Sequence, residues 1–564
     1  MQTINREINQ DVYWKVMKLG YSEICAKIVA ARTDHDPTLI FDKNFNKEIF
    51  SETILLMKDL KKSAIRIKTA IEKQENIMLF TDFDADGCCS MAILSESFML
   101  LGALPQRIFQ LTGNRLTDGY GLNQSLVNTI EHYETNLLIT ADVGISNYDE
   151  ITHLTKNETD VILTDHHLVP DNPPQAFAIV NPHQKDCQFP FKNLCGAAIA
   201  WVLMVETAKT MKCNDEIKKA IYEMLDIAAL ATVGDMVALN DPFNRKIVSV
   251  GLNFINQRKR PCWRACLSQD KPADVQELAF QIAPAINAVS RLTGECDTAI
   301  RFLTTQEDVY AKQYWSELQE HNGKRKTVQN NMIKSIDVPK EPCFVHYDHQ
   351  FHSAVVGIAA GQLSRKYNIP VILFADRTDD IMSGSGRSPD YLHLKDCLDI
   401  VQEQTNCIIR YGGHANAAGL SIYKKDFEIF KKTFFQACID KTLMIDTSQK
   451  NYIDGSLLEP FNFTMAIYEE IYNIAPFGIK FPEPAFCDVF TVTEAQVIGK
   501  IPVHLKLSLN SFKAIWFFAL KNENQDLPCS IGDRVKVVYS LSKNVWQGYT
   551  SLQIIVDKLE VVNL

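Results

Sequence analysis

The chain has 564 residues, of which 46% are hydrophobic and 22% charged, and its formal net charge is −10. This length predicts several domains, and the composition is typical of a globular protein and excludes wholesale disorder. No run approaches the ~20 apolar residues that span a bilayer, and the N-terminal residues lack the apolar segment of a signal peptide, so we expect a cytoplasmic protein without membrane contact. The 15 cysteines are scattered and form no zinc-type pairs, which is typical of reduced thiols.

The negative net charge is mild evidence against nucleic-acid binding, because nucleic-acid-binding proteins often carry a basic surface. It does not decide the question, since local fields steer ligands and cation-binding carboxylates also lower the formal count. Two basic clusters, at 258–264 and 324–326, are each better explained on their own as solvated helix faces.

The first half of the chain alternates helical and strand-like patterns. Apolar residues recur at helical spacing across residues 51–76 and predict one helix. Short apolar runs follow at 77–80, 136–140, 160–164 and 227–234, and each leads into an aspartate. We interpret these runs as strands, which with the intervening helices predict a doubly wound parallel α/β sheet. Ligands of such sheets gather at the carboxyl ends of the strands, so we expect these polar residues to meet.

The second half changes character twice. Residues 305–335 are polar with sparse apolar positions and predict a long, mostly solvated helix that connects two domains. A second α/β segment runs from 343 to about 445 and includes a strand at 371–374. After about residue 450, strand-like runs alternate with turns, which favours a small all-β barrel of OB type.

Three aspartates occupy alternating positions after the first strand-like run: Asp82, Asp84 and Asp86. Residues at i, i+2 and i+4 of an extended chain point to one side. Three like charges beside an apolar strand repel one another, which raises their pKa values unless a divalent cation balances them. An exposed acidic turn that caps the next helix explains the same residues equally well on their own.

The other runs end in similar chemistry. Asp142 follows the second run, although a lone aspartate there is more often a helix N-cap. In the segment 165–167, Asp-His-His, neighbouring residues face opposite ways, so one histidine can bind a metal while the other faces a substrate. Asp235 ends the fourth run. Carboxylates with one imidazole suit Mn²⁺ or Mg²⁺, and the four segments together predict a two-metal site for phosphoryl chemistry.

Several motifs resemble those of a known family. Residues 82–87 resemble the D-x-D-x-D-G motif of the DHH phosphoesterase superfamily, and 165–167 is the triplet that names it. Residues 412–419 resemble the G-G-H-x-x-A-A-G signature of the DHH-associated domain. Within the superfamily, the chain is similar to the RecJ-type exonucleases from about residue 50 onwards, in the segments 114–122, 179–184 and 476–484.

The resemblance implies an organisation and an activity. It implies an N-terminal region plus DHH parallel-sheet catalytic domain at 1–300, a connecting helix at 301–335, a DHH-associated α/β domain at 336–447 and an OB-like nucleic-acid-binding barrel at 448–564. The implied activity is a 5′→3′ exonuclease that releases 5′-mononucleotides from single-stranded DNA by two-metal hydrolysis, in DNA repair and recombination. The implied partners are single-stranded DNA, a single-strand-binding protein and a RecQ-type helicase, and we expect a monomer.

The resemblance also assigns site residues. The implied ligands of two Mn²⁺ or Mg²⁺ ions are Asp82, Asp84, Asp86, Asp142, His166 and Asp235. Asp142 and His166 are also catalytic, and His167 would contact the scissile phosphate. The residues implied to bind the 5′ phosphate or the DNA are Arg115, Arg291, Arg387, Ser388 and His414. Without the resemblance, the glycine-rich segment 384–388 is better explained as an ordinary turn, although its glycines would let backbone N–H groups approach an anion.

The barrel offers aromatic residues for base stacking, namely Trp516, Phe517, Phe518 and Trp546. For any one of them, a place in the barrel core is the favoured interpretation. Two positions depart from the family pattern: Ala285 stands where arginine is usual, and Val143 stands where a polar residue is common.

Three alternatives are open at this point. A phosphodiesterase of the same superfamily, acting on short oligonucleotides or cyclic dinucleotides, would use the same metal site but would need no barrel. A non-catalytic DNA-binding scaffold predicts lost metal carboxylates, whereas all of them are present. A dinucleotide-binding α/β protein would carry a G-x-G-x-x-G segment after the first strand, which this chain lacks.

Overall fold

The computed structural model describes residues 1–338, 341–443, 445–448, 450–458, 463–499, 503–520, 525–546 and 549–562. It confirms the predicted α/β class with a C-terminal barrel. The N-terminal region consists of a short strand and five helices: β1 (Thr3–Asn5), α1 (Gln10–Lys18), α2 (Glu23–Ala30), α3 (Pro37–Phe41), α4 (Lys47–Ile54) and α5 (Leu60–Lys73). Among the described residues, none of the helices is long and apolar enough to cross a membrane.

The single helix predicted over residues 51–76 is wrong, because α4 and α5 are separate helices. Asp59, which precedes α5, has a left-handed backbone with φ of 60° and interrupts the helical hydrogen-bond ladder. Leu55 and Leu56 in the break are 41% and 47% exposed, so their apolar character does not mark a helix face.

The predicted parallel sheet is confirmed. Its strands and the helices around them are β2 (Ile77–Thr81), α6 (Ala85–Leu100), β3 (Ile108–Thr112), α7 (Gln124–His132), β4 (Leu137–Ala141), α8 (Tyr148–Lys156), β5 (Asp160–Thr164), β6 (Ala178–Val180) and α9 (Gly196–Thr210). The strands lie in the order β3-β2-β4-β5-β6. Thr81 is in register with Ala141, and Ala141 with Thr164, so the carboxyl ends of the three central strands are level.

A series of helices follows the parallel sheet in the chain. It contains α10 (Asp215–Glu223), α11 (Leu225–Gly234), α12 (Pro242–Gln257), α13 (Pro261–Cys266), α14 (Val275–Glu277), a π-helical turn (Leu278–Ile282), α15 (Ala283–Thr293), α16 (Asp297–Thr304) and α17 (Asp308–Ser335). The last of these confirms the long connecting helix predicted at 305–335.

The fourth strand predicted at 227–234 is wrong, because this run is the helix α11. Residues 225–233 are all buried, so the run is apolar on every side and carries no helical period. Periodicity cannot distinguish such a buried helix from a buried strand, although the alanines of this run favour a helix.

The second α/β domain and the barrel follow the predicted order. The domain comprises β7 (Phe344–Tyr347), α18 (Val356–Tyr367), β8 (Val371–Asp376), β9 (Ile381–Arg387), α19 (Leu394–Thr405), β10 (Ile408–Gly413), β11 (Ala417–Tyr423) and α20 (Phe427–Thr442). After β12 (Asn451–Ile453) and α21 (Met465–Tyr472) come β13 (Phe486–Ile498), β14 (Val503–Leu509), β15 (Phe512–Leu520), β16 (Arg534–Trp546) and β17 (Tyr549–Val561). These last five strands form a closed barrel, as predicted.

A buried ion pair connects the N-terminal region to the segment that precedes the barrel. Arg32 donates two hydrogen bonds to Asp454, with N–O distances of 2.6 and 2.8 Å, and both side chains are almost fully buried. The Nε of Arg6 lies 3.8 Å from the same carboxylate. β1 also pairs in parallel with β12, so the N-terminal region is attached to the segment that enters the barrel.

Replacing Asp454 by alanine leaves the Arg32 guanidinium buried without a counter-charge, and we expect a loss of about 3–5 kcal/mol in unfolding free energy. Chemical denaturation followed by tryptophan fluorescence measures it. The matched control is Asp11→Ala, which breaks an exposed pair with Lys15 and should leave the unfolding midpoint unchanged. Equal midpoints for both variants would contradict a stabilising role for the buried pair.

Candidate metal centre

The first three acids lie at the junction of β2 and α6, with Asp86 in the first turn of the helix, and helix N-termini hold two of them. Asp84 is the N-cap of α6 and accepts hydrogen bonds from the backbone N–H groups of Asp86 and Gly87 at 2.9 and 3.2 Å. Asp86 is buried and accepts from the N–H groups of Gly196 and Ala197, at the start of α9, at 2.6 and 2.8 Å. The positive ends of two helices therefore favour negative charge at this edge of the sheet.

Asp142 follows β4 and is buried, with a left-handed backbone (φ 64°). A Cβ atom added at Gly196 would lie 2.5 Å from the Cβ of Asp142 and 2.8 Å from its Cα. Only glycine therefore lets α9 begin against this carboxylate. Asp142 and the start of α9 are therefore in contact in the fold, although they are more than fifty residues apart in the sequence.

The two histidines after β5 contact different groups, but the prediction that they face opposite ways is wrong, because their ring centroids lie only 4.4 Å apart. The Nε2 of His166 lies 3.0 Å from Oδ1 of Asp142, and 3.9 Å from both an Asp86 oxygen and an Asp235 oxygen. Asp235 reaches this point from the end of α11 rather than from a strand. The imidazole of His166 thus lies among carboxylates from three elements of the fold.

His167 is oriented by Asp165 and Tyr120, neither of which is among the predicted site residues. Its Nδ1 lies 2.7 Å from Oδ1 of the fully buried Asp165, whose other oxygen accepts from the N–H of Ile145. The hydroxyl of Tyr120 lies 3.1 Å from the same nitrogen. Tyr120 is in a segment that carries the family resemblance, which is the only signal that could have pointed to it.

The charge of Asp165 determines the protonation of His167. Burial alone would lower its pKa, but the hydrogen bond and charge of Asp165 raise the net pKa above the ordinary histidine value. Burial would likewise raise the pKa of Asp165, yet the bonds from His167 and from backbone N–H groups bring it below the ordinary value. The pair therefore favours a carboxylate and a protonated imidazole.

Asp82, Asp142 and Asp235 are in the opposite situation, because their pKa values are raised. Burial and the charge of Asp84 raise the pKa of Asp82 to about 8. Burial, followed by repulsion from neighbouring aspartates, raises the pKa values of Asp142 and Asp235 well above the ordinary range. Burial lowers the pKa of His166. A cation among these groups would remove the repulsion, because opposite charge within a few ångströms stabilises the ionised carboxylate.

The side chains form three overlapping groups whose possible ligand atoms lie within 4.8 Å of one another: Asp82, Asp84 and Asp142; Asp86, His166 and Asp235; and Asp142, His166 and His167. We call Asp82, Asp84, Asp86, Asp142, His166 and Asp235 the acidic cluster. Carboxylate oxygens with one imidazole nitrogen fit Mn²⁺ or Mg²⁺. The structure brings together all six residues predicted as ligands.

Four arginines form a second group, the arginine cluster, which consists of Arg115, Arg291, Arg325 and Arg387, and the first two lie near Asp84. Burial, followed by the charges of the other three arginines, lowers the pKa of Arg291 to about 9, whereas the charge of Asp84 opposes this shift. Burial also lowers the pKa values of the other three. Within the described part of the chain, none of the four forms an ion pair with a carboxylate.

The arginine cluster joins two domains. Arg291, on α15, donates to the carbonyl oxygen of Ala354 at 3.0 Å, just before α18. One nitrogen of Arg115 is buried without a hydrogen-bond partner among the described residues, and its guanidinium lies over the ring of Phe83. Four arginines that form no ion pair with a carboxylate among the described residues, one of them with an unpaired nitrogen, form an anion-binding arrangement.

The serine beside Arg387 is Ser385 rather than the predicted Ser388. The hydroxyl of Ser388 is buried and lies 2.9 Å from the carbonyl oxygen of Leu392, so the structure does not bring it to the arginine cluster. Instead, the Nη1 of Arg387 donates to the hydroxyl of Ser385 at 3.1 Å. Residues two apart on a strand share a face, and this alternation was available in the sequence.

His414 lies in the exposed turn between β10 and β11. β11 pairs with β9 so that Ala417 is opposite Arg387, which places this turn at the Arg387 end of the sheet. The two departures from the family pattern, Ala285 and Val143, are buried in apolar cores.

Two barrel aromatics contradict the preference for a core position. Phe517 and Phe518 are 46% and 70% exposed, and the ring of His504 lies edge-on to both at 5.3 and 5.1 Å. Phe518 has a left-handed backbone (φ 56°), which breaks the strand alternation that would turn it inward. Trp516 packs partly against the core, whereas the side chain of Trp546 lies outside the described residues.

Comparison with known families agrees with this architecture. The model of the DHH family N-terminal domain matches residues 76–232, that of the DHHA1 domain matches 340–440, and that of the RecJ OB domain matches 453–558. The fold and site are therefore those of a DHH-type protein with an OB domain.

Individual relatives narrow this class. The chain is 30% identical over 520 residues to the single-stranded-DNA-specific exonuclease RecJ of Haemophilus influenzae, covering 88% of this chain and 89% of the relative. It is 32% identical over 518 residues to RecJ of Salmonella typhimurium, covering 87% and 88%. The chain belongs to the RecJ family of single-stranded-DNA-specific exonucleases.

Solved structures of RecJ proteins agree with this assignment to the RecJ family. RecJ from Thermus thermophilus in complex with Mn²⁺ superimposes with a TM-score of 0.81 and 25% identity, over 100% of this chain and 80% of that chain. An exonuclease RecJ bound to manganese matches with a TM-score of 0.58 and 29% identity, over 69% and 98%.

Replacing Gly196 by alanine should displace Asp142 and α9, and we expect weaker Mn²⁺ binding by about 10- to 100-fold, the usual cost of disturbing the supports of ligands. Calorimetric titration with Mn²⁺ measures it. Gly323→Ala is the control, because a Cβ there meets nothing within 4 Å. Unchanged affinity in the Gly196 variant would show that this contact does not position the acidic cluster.

Proposed function

We propose that the chain is a 5′→3′ exonuclease that hydrolyses single-stranded DNA from its 5′ end and releases 5′-mononucleotides, in DNA repair and recombination. The observation that carries this proposal is the adjacency of two opposite sites. The acidic cluster attracts cations, and the arginine cluster beside it attracts an anion. Asp84 is close enough to raise the pKa values of Arg115 and Arg291 against the effect of burial. A terminal phosphate among the arginines would hold the following phosphodiester at the acidic cluster.

Manganese or magnesium ions, two in number, are the proposed cofactors. Asp82, Asp84, Asp86, Asp142, His166 and Asp235 would hold them. Bound there, they would supply Lewis-acid stabilisation of the charge that develops on the phosphoryl oxygens. The donor set supports this choice, because it contains no thiolate and its carboxylates repel one another without a cation.

His167 would contact the scissile phosphate. Its side chain is 43% exposed, and Asp165 fixes its Nδ1, which leaves Nε2 for a ligand. The raised pKa of His167 favours the protonated ring, which can donate a hydrogen bond to a phosphate oxygen. Asp165 is thus a positioning residue for the imidazole.

The barrel is evidence that the substrate is a polymer rather than a small molecule. Its exposed pair Phe517 and Phe518, flanked by His504, offers flat apolar surfaces on which bases can stack without sequence preference. A phosphodiesterase for dinucleotides needs no such surface. A scaffold without catalysis would not need the acidic cluster, all of whose carboxylates are in place.

Several family expectations stay predictions. These are the domain limits of 1–300, 301–335, 336–447 and 448–564, the partners (a single-strand-binding protein and a RecQ-type helicase), the monomeric state and the cytoplasmic location. We propose that Arg115, Arg291 and Arg387 bind the 5′ phosphate and that His414 contacts the DNA backbone. Ser385 replaces Ser388 in this proposal, because its hydroxyl lies on Arg387.

The proposal predicts rapid release of the 5′ label as mononucleotide from 5′-phosphorylated single-stranded DNA in Mn²⁺ or Mg²⁺. Asp142→Asn and His166→Ala should each reduce the rate by at least about 100-fold, because each removes a group of the acidic cluster. Asp149→Asn, the same kind of change at an exposed residue of α8, should have no effect. Tight DNA binding without release in any metal would favour the scaffold, and release from dinucleotides alone would favour the small-substrate enzyme.

Arg387→Ala should lower kcat/KM for a 5′-phosphorylated strand by about 10- to 100-fold, the worth of a charge-assisted hydrogen bond. The effect on a strand with a 5′ hydroxyl should be much smaller, so the preference between the two ends should collapse. Arg410→Ala is the control, since this arginine is exposed on β10, which β11 separates from the strand of Arg387. An equal loss on both strands would argue against 5′-phosphate binding by Arg387.

A further inference from the structure

The helix that carries Arg291 presents one narrow accessible face. Within residues 280–291, all of which are described, only Phe280, Gln281, Pro284, Asn287 and Arg291 are not buried. Apart from Gln281, these residues follow one another at intervals of three or four, which places them along a single helical face. The face therefore runs along the π turn and α15 as a continuous stripe.

Contacts fix where this stripe passes. Asn287 accepts a hydrogen bond from the N–H of Ala85 at 2.9 Å, inside the loop of the first three acids. A Cβ added at Gly234, which precedes Asp235, would lie 3.0 Å from the Cβ of Ala283. The stripe thus crosses the acidic cluster at Asn287. Arg291 lies about one turn to one side of that point and Phe280 about two turns to the other.

Phe280 is unusual at its end of the stripe. Its side chain is 74% exposed, whereas Leu278 and Ile282 on either side are buried. It lies in a π-helical turn in which the N–H of Ala283 donates to the carbonyl oxygen of Leu278. Such turns are rare in proteins overall, and those that occur are often found at functional sites. An aromatic ring this exposed contributes little to the core, so stability does not explain its presence.

Two further exposed apolar side chains lie on the loop that follows α11 and on a loop that contacts it. Met236, next to Asp235, is 65% exposed and Ile479 is 41% exposed. The N–H of Leu239 donates to the carbonyl oxygen of Ile479 at 2.7 Å, so the loops that carry these two side chains are in contact. A group of exposed apolar residues next to a polar site marks a binding surface.

We propose that Phe280 is a base-stacking residue that holds single-stranded DNA on the 3′ side of the phosphodiester being cleaved. This inference rests on the proposed function. A 5′ phosphate in the arginine cluster and a phosphodiester at the acidic cluster fix the direction of the strand. Its remaining nucleotides then leave along the stripe towards Phe280, whose ring offers a flat apolar face to a base.

The first test is kinetic. Because base–aromatic stacking is worth about 1–3 kcal/mol, Phe280→Ala should lower kcat/KM about tenfold on a long 5′-phosphorylated strand, mainly through KM. A 5′-phosphorylated dinucleotide does not extend to Phe280, so the ratio of the two kcat/KM values should fall by the same factor. Phe280→Trp should restore the ratio. Val309→Ala, at a residue of α17 that is 73% exposed, is the matched control.

The second test is spectroscopic and needs no turnover. A fluorescent adenine analogue that is quenched by stacking is placed at successive positions from the 5′ end, and binding is measured in chelator. One position on the 3′ side should be quenched by the wild-type protein and by Phe280→Trp, and not by Phe280→Ala. Unchanged quenching at every position, or an unchanged substrate-length ratio, would overturn the inference. Failure of the wild-type protein to cleave any single-stranded DNA would instead refute the proposed function.

Discussion

The repulsion among buried carboxylates at one edge of the parallel sheet is the constraint on which the rest of the site depends. Asp82 and Asp142 follow two neighbouring strands whose carboxyl ends are in register, so the fold itself brings these carboxylates together. Positive ends of helix dipoles offset part of this cost, together with the nearby charges of Arg115 and His167. The N-termini of α6 and α9 donate to Asp84 and Asp86, and Gly196 allows the second helix to approach.

The part of the fold that is set by short-range pattern was predictable. Apolar runs that end in polar loops identify strands, and parallel strands bring their ends together, so the amino-acid pattern alone suffices to place Asp82, Asp142 and the histidine pair at one edge. Asp235 was predicted for the wrong reason. Its run is a helix buried on all sides, and only its position at the end of a buried element matched the expectation.

The arginine cluster could not be derived from pattern, because contacts between domains create it. Arg291 reaches Ala354 across the domain boundary, and Arg325 bonds along its own helix to Gln329, whose amide donates to Gln362 of α18. No local sequence signal encodes such a meeting of distant segments. The choice between Ser385 and Ser388 was different, since strand alternation already placed Ser385 on the face of Arg387.

The two clusters also explain how an acidic protein can act on a polyanion. The net charge of −10 is an average over the chain, whereas the strand would meet four arginines that lack carboxylate partners among the described residues. Burial strengthens both fields, because water screens charges less in a partly closed site. Cations at the acidic cluster would offset the charges that most oppose DNA there. The arginine cluster, the acidic cluster and Phe280 follow one another along one helix face. In the proposed function this local order, rather than the overall charge, gives the strand its direction.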